Sequence, residues 1–362
     1  MSDTDDSVRE IRINPIVPTE SVLVSTARGM RPKQAEERIE RDTRAHVETC
    51  PFCHGNEDRT PPQITAYPDG PDWQIRIVPN LYPVLGDDSS QKNMAFGLQQ
   101  VIDGYGRHEV VIDHPNHGIA VHDMSREHLA SLFGVYQQRM AELYESDKRL
   151  KYVLVFKNFG PAAGASIPHT HSQIIATPVV PDNLQNEVHH SREYHKKFNH
   201  CIFCSLIDEA LTYEATIYDR ESGQIRRKVN VGQYVIERGE RFVAIKPFAS
   251  RFEWEIHILP LRHEADFLKA SAEDLDDFAN VLRRTMARLD KVVGGVQYNF
   301  FLHSAPHGSE YEGCGDSYHW HLEICPRTSI PTGFELGSGL FVSTVSPELA
   351  AQALREADPE AD

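Results

Sequence analysis

The sequence predicts an α+β fold made of two copies of one unit, each a mostly antiparallel sheet with packed helices. Three observations carry this. A C-x-x-C pair occurs twice, as "CPFC" at 50–53 and "CIFC" at 201–204. A doubled histidine also occurs twice, as "HTHSQIIATP" from 169 and "HWHLEICP" from 319. Between them the same elements recur in the same order at similar spacing. Cys50 to His117 is 67 residues and Cys201 to His263 is 62; His117 to His169 is 52 and His263 to His319 is 56. An ordered set of matches is the mark of an internal duplication. The expected units are residues 1–181 and 182–362.

Each element follows from local pattern. "RHEVVIDHPNHG" (107–118) and "FEWEIHILPLRH" (252–263) read as strands that run into turns ending at His117 and His263. A helix comes next in each half. The first begins at Ser125, a residue type that caps helix N-termini, and spaces Leu129, Leu132, Phe133, Tyr136, Met140 and Leu143 along one face. The second begins at Ser271 with Asp274 three residues on, and lines up Leu275, Phe278, Leu282, Met286 and Leu289. "KYVLVFKN" (151–158) and "VQYNFFLH" (296–303) are rich in β-branched and aromatic residues and read as strands. Between the halves, "DNLQNEVHHSREYHKKFNH" is polar and reads as a linker or loop-helix segment, and the acidic "EADPEAD" as a frayed tail.

Composition narrows the function. The chain has 362 residues, 40% hydrophobic and 25% charged, with a net charge of −16 from 37 basic and 53 acidic side chains. Such a surface repels polyanions, which argues against nucleic acid and anionic membranes as partners. A small phosphorylated substrate needs only a few local cations. The acidic start "MSDTDDSVRE" is not a signal peptide, and no apolar run approaches a membrane span. Four of six cysteines form the C-x-x-C pairs, a pattern of metal binding or redox chemistry. These features lead us to expect a cytoplasmic enzyme.

Zinc takes four nitrogen or sulfur ligands, and C-x-x-C supplies two thiolates from one turn. The first half offers Cys50, Cys53, His117 and His169, and the second Cys201, Cys204, His263 and His319. A filled four-ligand sphere has no open position, so both sites would be structural. Free buried thiols or a redox pair are the plainer alternative, weakened by the recurrence with two downstream histidines.

On a strand, His169, His171 and Gln173 face one way and Thr170 and Ser172 the other. With His169 given to zinc, His171 stands beside a rigid anchor. The preceding "NFGPAAGAS" (158–166) supplies Gly160, Gly164 and small side chains that let backbone amides approach a phosphate. Ser166 adds a hydroxyl and Gln173 an amide donor. A neutral imidazole can attack phosphorus and later depart, so His171 is the candidate nucleophile of a phosphoramidate intermediate.

"NFGPAAGASIPHTHSQ" resembles the active-site signature of the galactose-1-phosphate uridylyltransferase family, a branch of the histidine-triad superfamily. "VLVSTARGMRPKQ" (22–34), "CPFC", "VPNLYPVL" (78–85), "FEWEIHILPLRH" and "GFELGSG" (333–339) extend the resemblance over most of the chain. It implies duplicated histidine-triad-like units, a likeness to homodimeric enzymes of galactose metabolism, and double displacement. His171 would attack the α-phosphorus of a nucleotide sugar such as UDP-glucose, and a sugar 1-phosphate would then attack the nucleotidyl-histidine. By the same resemblance Gln173 and Ser166 bind phosphate and Asn158 fixes the loop. Arg28 and Arg31 lie near the phosphates, Asn80 beside the base or ribose, and Phe334 and Glu335 near the hexose.

Two departures matter. The family's His-Pro-His is His-Thr-His here, at a position facing away from the chemistry. The Lys-Phe pair of many bacterial members is absent before "PTGFELGSG", which looks more like a plant-type branch acting on ADP-glucose, as a phosphorylase or adenylyltransferase. The second metal also has two schemes. Bacterial members imply Glu187, His303, His319 and His321; the plant-type pattern implies the cysteine set, which the first half favours. A zinc-ribbon binding module and a hydrolase are the remaining classes. Charge opposes the first for nucleic acid; length and duplication oppose the second.

Overall fold

The computed structural model describes residues 8–29, 41–87 and 93–360. Arg31 lies outside them. The two units meet in one ten-stranded sheet. From one edge its order is Val235–Arg238, Phe242–Ile245, Ile256–Pro260, His321–Pro326, Tyr298–His303, Tyr152–Phe159, His171–Thr177, Arg107–Ile112, Ile75–Pro79 and Thr65–Tyr67. Every adjacent pair in it is antiparallel. Five strands come from each half, and the halves join where Tyr298–His303 pairs with Tyr152–Phe159. The duplication seen in the sequence therefore becomes one continuous layer.

The two amphipathic helices cover one face. Arg126–Ser146 starts at Ser125, whose side chain accepts from the His128 amide, and Ala272–Val293 starts with the Ser271–Asp274 capping box. All eleven apolar positions assigned to their inner faces are buried. Phe133 and Phe278 meet edge to face at 4.7 Å, sealing the seam between helices.

Two segments are more ordered than the plainer sequence alternatives, a linker and a frayed tail. The polar stretch after residue 181 is a regular helix, Asp182–Phe198, because Leu184, Glu187, Val188 and Ser191 fall on one buried stripe. Its few apolar residues hid that period, and its buried face carries a carboxylate. The acidic tail is held in part, since Glu360 accepts from Arg283 and Arg284. A small sheet also crosses the proposed division at 181. Strands Arg9–Ile13 and Ser21–Ser25 pair with each other and then, in parallel, with Phe341–Ser343. Arg12 fastens it by bonding Glu348 and Phe248 of the second half.

Candidate functional site

The strand beginning at His171 is braced from behind. Lys157, on the adjacent strand and buried, donates to Asp113 Oδ2 at 2.6 Å, Thr170 Oγ1 at 2.8 Å and the His171 carbonyl at 3.1 Å. Ser172 Oγ donates to Asp113 at 2.9 Å, and the Tyr136 hydroxyl lies 3.0 Å from the same carboxylate. Thr170 and Ser172 thus face the helices, and His171 and Gln173 the opposite side. Sequence reading missed this network, since Lys157 and Asp113 are 44 residues apart and neither stands in a motif. Removing one member of a buried ion pair leaves an unpaired charge, so Lys157→Ala should cost about 3–5 kcal/mol of stability. Chemical denaturation measures it.

Orientation of the candidate nucleophile, His171, follows from its other ring nitrogen. A carbonyl only accepts, and the His169 carbonyl lies 2.7 Å from His171 Nδ1, so Nδ1 carries the proton. Nε2 then presents its lone pair. Burial pushes the imidazole below its ordinary pKa, which favours the neutral form that can attack. The Phe52 ring packs edge-on against it at 5.4 Å.

Gln173 is oriented by the same logic. His108 Nδ1 accepts from the Val84 amide at 3.2 Å, so its Nε2 holds the proton and donates to Gln173 Oε1 at 2.7 Å. With its oxygen engaged, the Gln173 amide group is turned to donate. Asn80 sits against the same His108 nitrogen at 3.1 Å, and its Oδ1 accepts from the Tyr82 amide. Gln173→Ala should lower turnover by about 10²–10³-fold, the cost of losing one preorganised donor. Steady-state rates with near-unchanged thermal stability would show it.

The glycine-rich loop corrects one expectation. Gly160 and Gly164 take the left-handed conformations that let the chain turn, with φ of 87° and 86°. The amides of Ala163 and Ala165 bond the Gly160 carbonyl, that of Gly164 bonds Pro161, and that of Ala162 bonds Gln297 Oε1. Three of these amides close the loop on itself and the fourth ties it to the second half, so all four are engaged within the protein instead of cradling an anion. The exposed hydroxyl-bearing Ser166 and the Gln173 amide are left as donors. Asn158 does brace the loop, through Asn299, which donates to both Asn158 Oδ1 and the Ala163 carbonyl at 2.8 Å. Gln297 and Asn299 belong to the second half. Their role has no sequence signal beyond a strand facing the loop.

The eight candidate metal ligands gather in two clusters. In the first, Cys53 Sγ is 3.5 Å from both His117 Nδ1 and His169 Nδ1, and Cys50 Sγ is 3.7 Å from His169 Nδ1. In the second, Cys204 Sγ is 3.3 Å from His263 Nδ1 and 3.7 Å from His319 Nδ1. A tetrahedral ion with Zn–S about 2.3 Å and Zn–N about 2.0–2.1 Å separates sulfur and nitrogen by about 3.5 Å. Three of the four far nitrogens meet backbone carbonyls, as in zinc sites. His169 Nε2 meets the His114 carbonyl at 2.8 Å, His263 Nε2 that of Gly315 at 2.8 Å, and His319 Nε2 that of Pro260 at 2.9 Å. His117 Nε2 has Asp42 Oδ2 at 3.3 Å. Burial pushes the Cys50 thiol up to about 11, a penalty that a divalent ion reverses by pairing the thiolate. The donors therefore fit zinc. His319 joins the cysteines, while Glu187, His303 and His321 form a separate group with Glu323.

Arg28, Phe334 and Glu335 are not brought to His171. Arg28 and Glu335 line a cavity of 150 Å³ with Arg251 and Phe252 in the second half. Arg251 bonds Glu323, on a strand three positions along the sheet from that of His171, about 14 Å at ordinary strand spacing. Phe334, half exposed, is in the adjoining short helix Gly333–Ser338. Among the described residues no helix is long and apolar enough to cross a membrane.

Comparison with known proteins agrees with this fold. Residues 1–181 match the family model for the N-terminal domain of galactose-1-phosphate uridyl transferase. An ADP-glucose phosphorylase of Arabidopsis thaliana is 29% identical over 350 residues, covering 96% of this chain and 92% of that protein. A galactose-1-phosphate uridylyltransferase of Thermotoga maritima is 28% identical, covering 97% and 99%. The crystal structure of an Arabidopsis thaliana ADP-glucose phosphorylase with bound ADP-glucose superposes with a TM-score of 0.79 at 28% identity, covering 96% of this chain and 99% of that one.

Proposed function

Since this chain belongs to the galactose-1-phosphate uridyl transferase family, a family of hexose-1-phosphate nucleotidyltransferases, we propose that it moves a uridylyl group from UDP-glucose to galactose 1-phosphate through His171. The observation that carries this is the pairing of a neutral, outward-facing His171 Nε2 with the Gln173 amide donor two residues on. In the first step Nε2 forms a bond to the α-phosphorus. The bond to the leaving sugar phosphate breaks and takes the electron pair. As positive charge develops on the ring, the Nδ1–H bond to the His169 carbonyl strengthens. The acceptor phosphate, already ionised, then attacks the same phosphorus and frees the imidazole. No general base is required, so rate comes from positioning.

Zinc bound by Cys50, Cys53, His117 and His169 would supply a rigid anchor for the strand, and zinc at Cys201, Cys204, His263 and His319 the same for the second half. Neither has an open position for chemistry. The separation of Arg28, Phe334 and Glu335 from His171 supports a homodimer in which a second copy supplies these groups.

A second reading, an ADP-glucose phosphorylase or adenylyltransferase, is favoured by "PTGFELGSG" and by the Arabidopsis relative. Incubation with each donor, paired with galactose 1-phosphate or inorganic phosphate, separates them. Uridylyl exchange with galactose 1-phosphate supports the first reading. Turnover of ADP-glucose with phosphate, and none of UDP-glucose, replaces it by the second.

A further inference from the structure

The glycine-rich loop before His171 is held by the other half of the chain. The amides of Ala163, Gly164 and Ala165 bond within the loop, which fixes its shape but not its place. Among the described residues, two hydrogen bonds tie residues 160–166 to the body of the protein, and both come from the second half. Gln297 Oε1 accepts from the Ala162 amide at 2.6 Å. Asn299 Nδ2 donates to the Ala163 carbonyl at 2.8 Å.

The fit at this join is close. Gly160 has φ of 87°, and a Cβ there would lie 2.5 Å from Gln297 Cγ. The strands pair Tyr298 with Phe159, whose rings stack at 5.1 Å. The reverse hold exists across the same join. Lys151 precedes Tyr152 as Gln297 precedes Tyr298. The Lys151 carbonyl accepts from the His307 amide at 2.8 Å, and its Nζ donates to Glu310 Oε2 at 3.2 Å. Both partners belong to the loop of the second half. A Cβ at Gly308, where φ is 125°, would lie 2.7 Å from Lys151 Nζ. Each half therefore grips the loop of the other beside a glycine of positive φ. The chemistry of the two grips differs. A charged pair holds the second loop, whereas neutral amides hold the first. Gln297 and Ser166 border one cavity of 290 Å³, so a neutral hold leaves no carboxylate of its own beside the hydroxyl meant for phosphate.

We propose that Gln297 and Asn299 are positioning residues for nucleotidyl transfer, holding the loop from the second half so that Ser166 meets the substrate phosphate. This role rests on transfer through His171, and it gives the second half a part in the chemistry of the first. A loop displaced by about 1 Å can cost about 10²-fold in rate.

The two side chains respond in opposite ways to an isosteric acid. Gln297 accepts, and a carboxylate also accepts, so Gln297→Glu keeps the Ala162 bond. Asn299 donates, which a carboxylate cannot do, so Asn299→Asp loses the Ala163 bond. Asn158 can turn its own amide toward the new carboxylate, but the Ala163 carbonyl cannot. The test measures kcat and KM below the unfolding transition and follows amide hydrogen exchange over residues 160–166 in the same proteins. Asn299→Asp should lower kcat by about 10–10²-fold and speed exchange of the loop, with KM nearly unchanged. Gln297→Ala, at a half-buried position, should do the same and serves if Asn299→Asp folds poorly. Gln297→Glu should restore kcat to within about threefold of wild type, the cost of its charge falling on KM. Lys151→Ala loosens the second loop and should leave kcat unchanged. Wild-type kcat in Asn299→Asp and Gln297→Ala overturns the positioning role, as does an equal loss in Lys151→Ala or no difference between Gln297→Glu and Gln297→Ala. Wild-type protein that transfers nothing from either donor removes the transfer reading and the positioning role with it, while loop exchange still reports whether the second half holds the loop.

Discussion

His171→Ala is expected to lower nucleotidyl transfer by at least about 10⁴-fold, because a double displacement cannot proceed without its covalent carrier. The loss should fall on kcat. The variant should still bind the nucleotide sugar, since Gln173, Asn80 and the loop held by Asn299 do not depend on the imidazole. Fold should survive as well. The His171 ring is held by one bond from Nδ1 and by Phe52, while the strand itself is fixed through its backbone and Lys157. Pre-steady-state rates, with ligand binding measured separately, check both parts. A variant that keeps a tenth of the activity would leave the covalent step to another residue.

Removing the proposed first zinc ligand set should be the most costly change to stability. Cys53 contacts both histidines of its cluster and accepts from the Val47 amide, so Cys53→Ser removes more of that site's contacts than loss of Cys50 would. Structural zinc contributes on the order of 10 kcal/mol in small domains; here, with a large sheet behind it, a loss of about 5 kcal/mol and about 10 °C in Tm is expected. Transfer should fall too, since His169 is two residues from the proposed nucleophile and its carbonyl orients His171 Nδ1. Cys204→Ser makes the contrast. It should lower Tm by a similar amount while slowing transfer far less, because its cluster supports the strand of His321. Metal analysis and thermal unfolding of both variants, with rates measured below the transition, decide the matter.

Much of this arrangement could be read from the residues alone. The two long helices carried their own caps and apolar stripes, and the ligand spacings recurred, so local chemistry and repetition were enough. Lys157, Asp113, Gln297 and Asn299 were not legible, because each acts through a partner distant in sequence or across the join between halves. Helix Asp182–Phe198 was obscured by its polar composition, although Leu184, Glu187, Val188 and Ser191 mark its inner face. The small sheet joining residues 9–25 to 341–343 had no signal at all, since parallel pairing across the length of the chain leaves none. The loop amides were misread for a different reason. Gly160 and Gly164 permit an anion cradle, but the same φ values also permit a closed turn, and only the partners distinguish them.

The central claim is that His171 Nε2 carries the nucleotidyl group. The direct measurement incubates the protein with UDP-glucose and with ADP-glucose labelled in the nucleotide, quenches at alkaline pH to preserve a phosphoramidate, and maps the label by peptide mass spectrometry. The account predicts an acid-labile adduct on His171 from at least one donor, discharged when the acceptor phosphate is added. A label on another residue, or none from either donor, would contradict it.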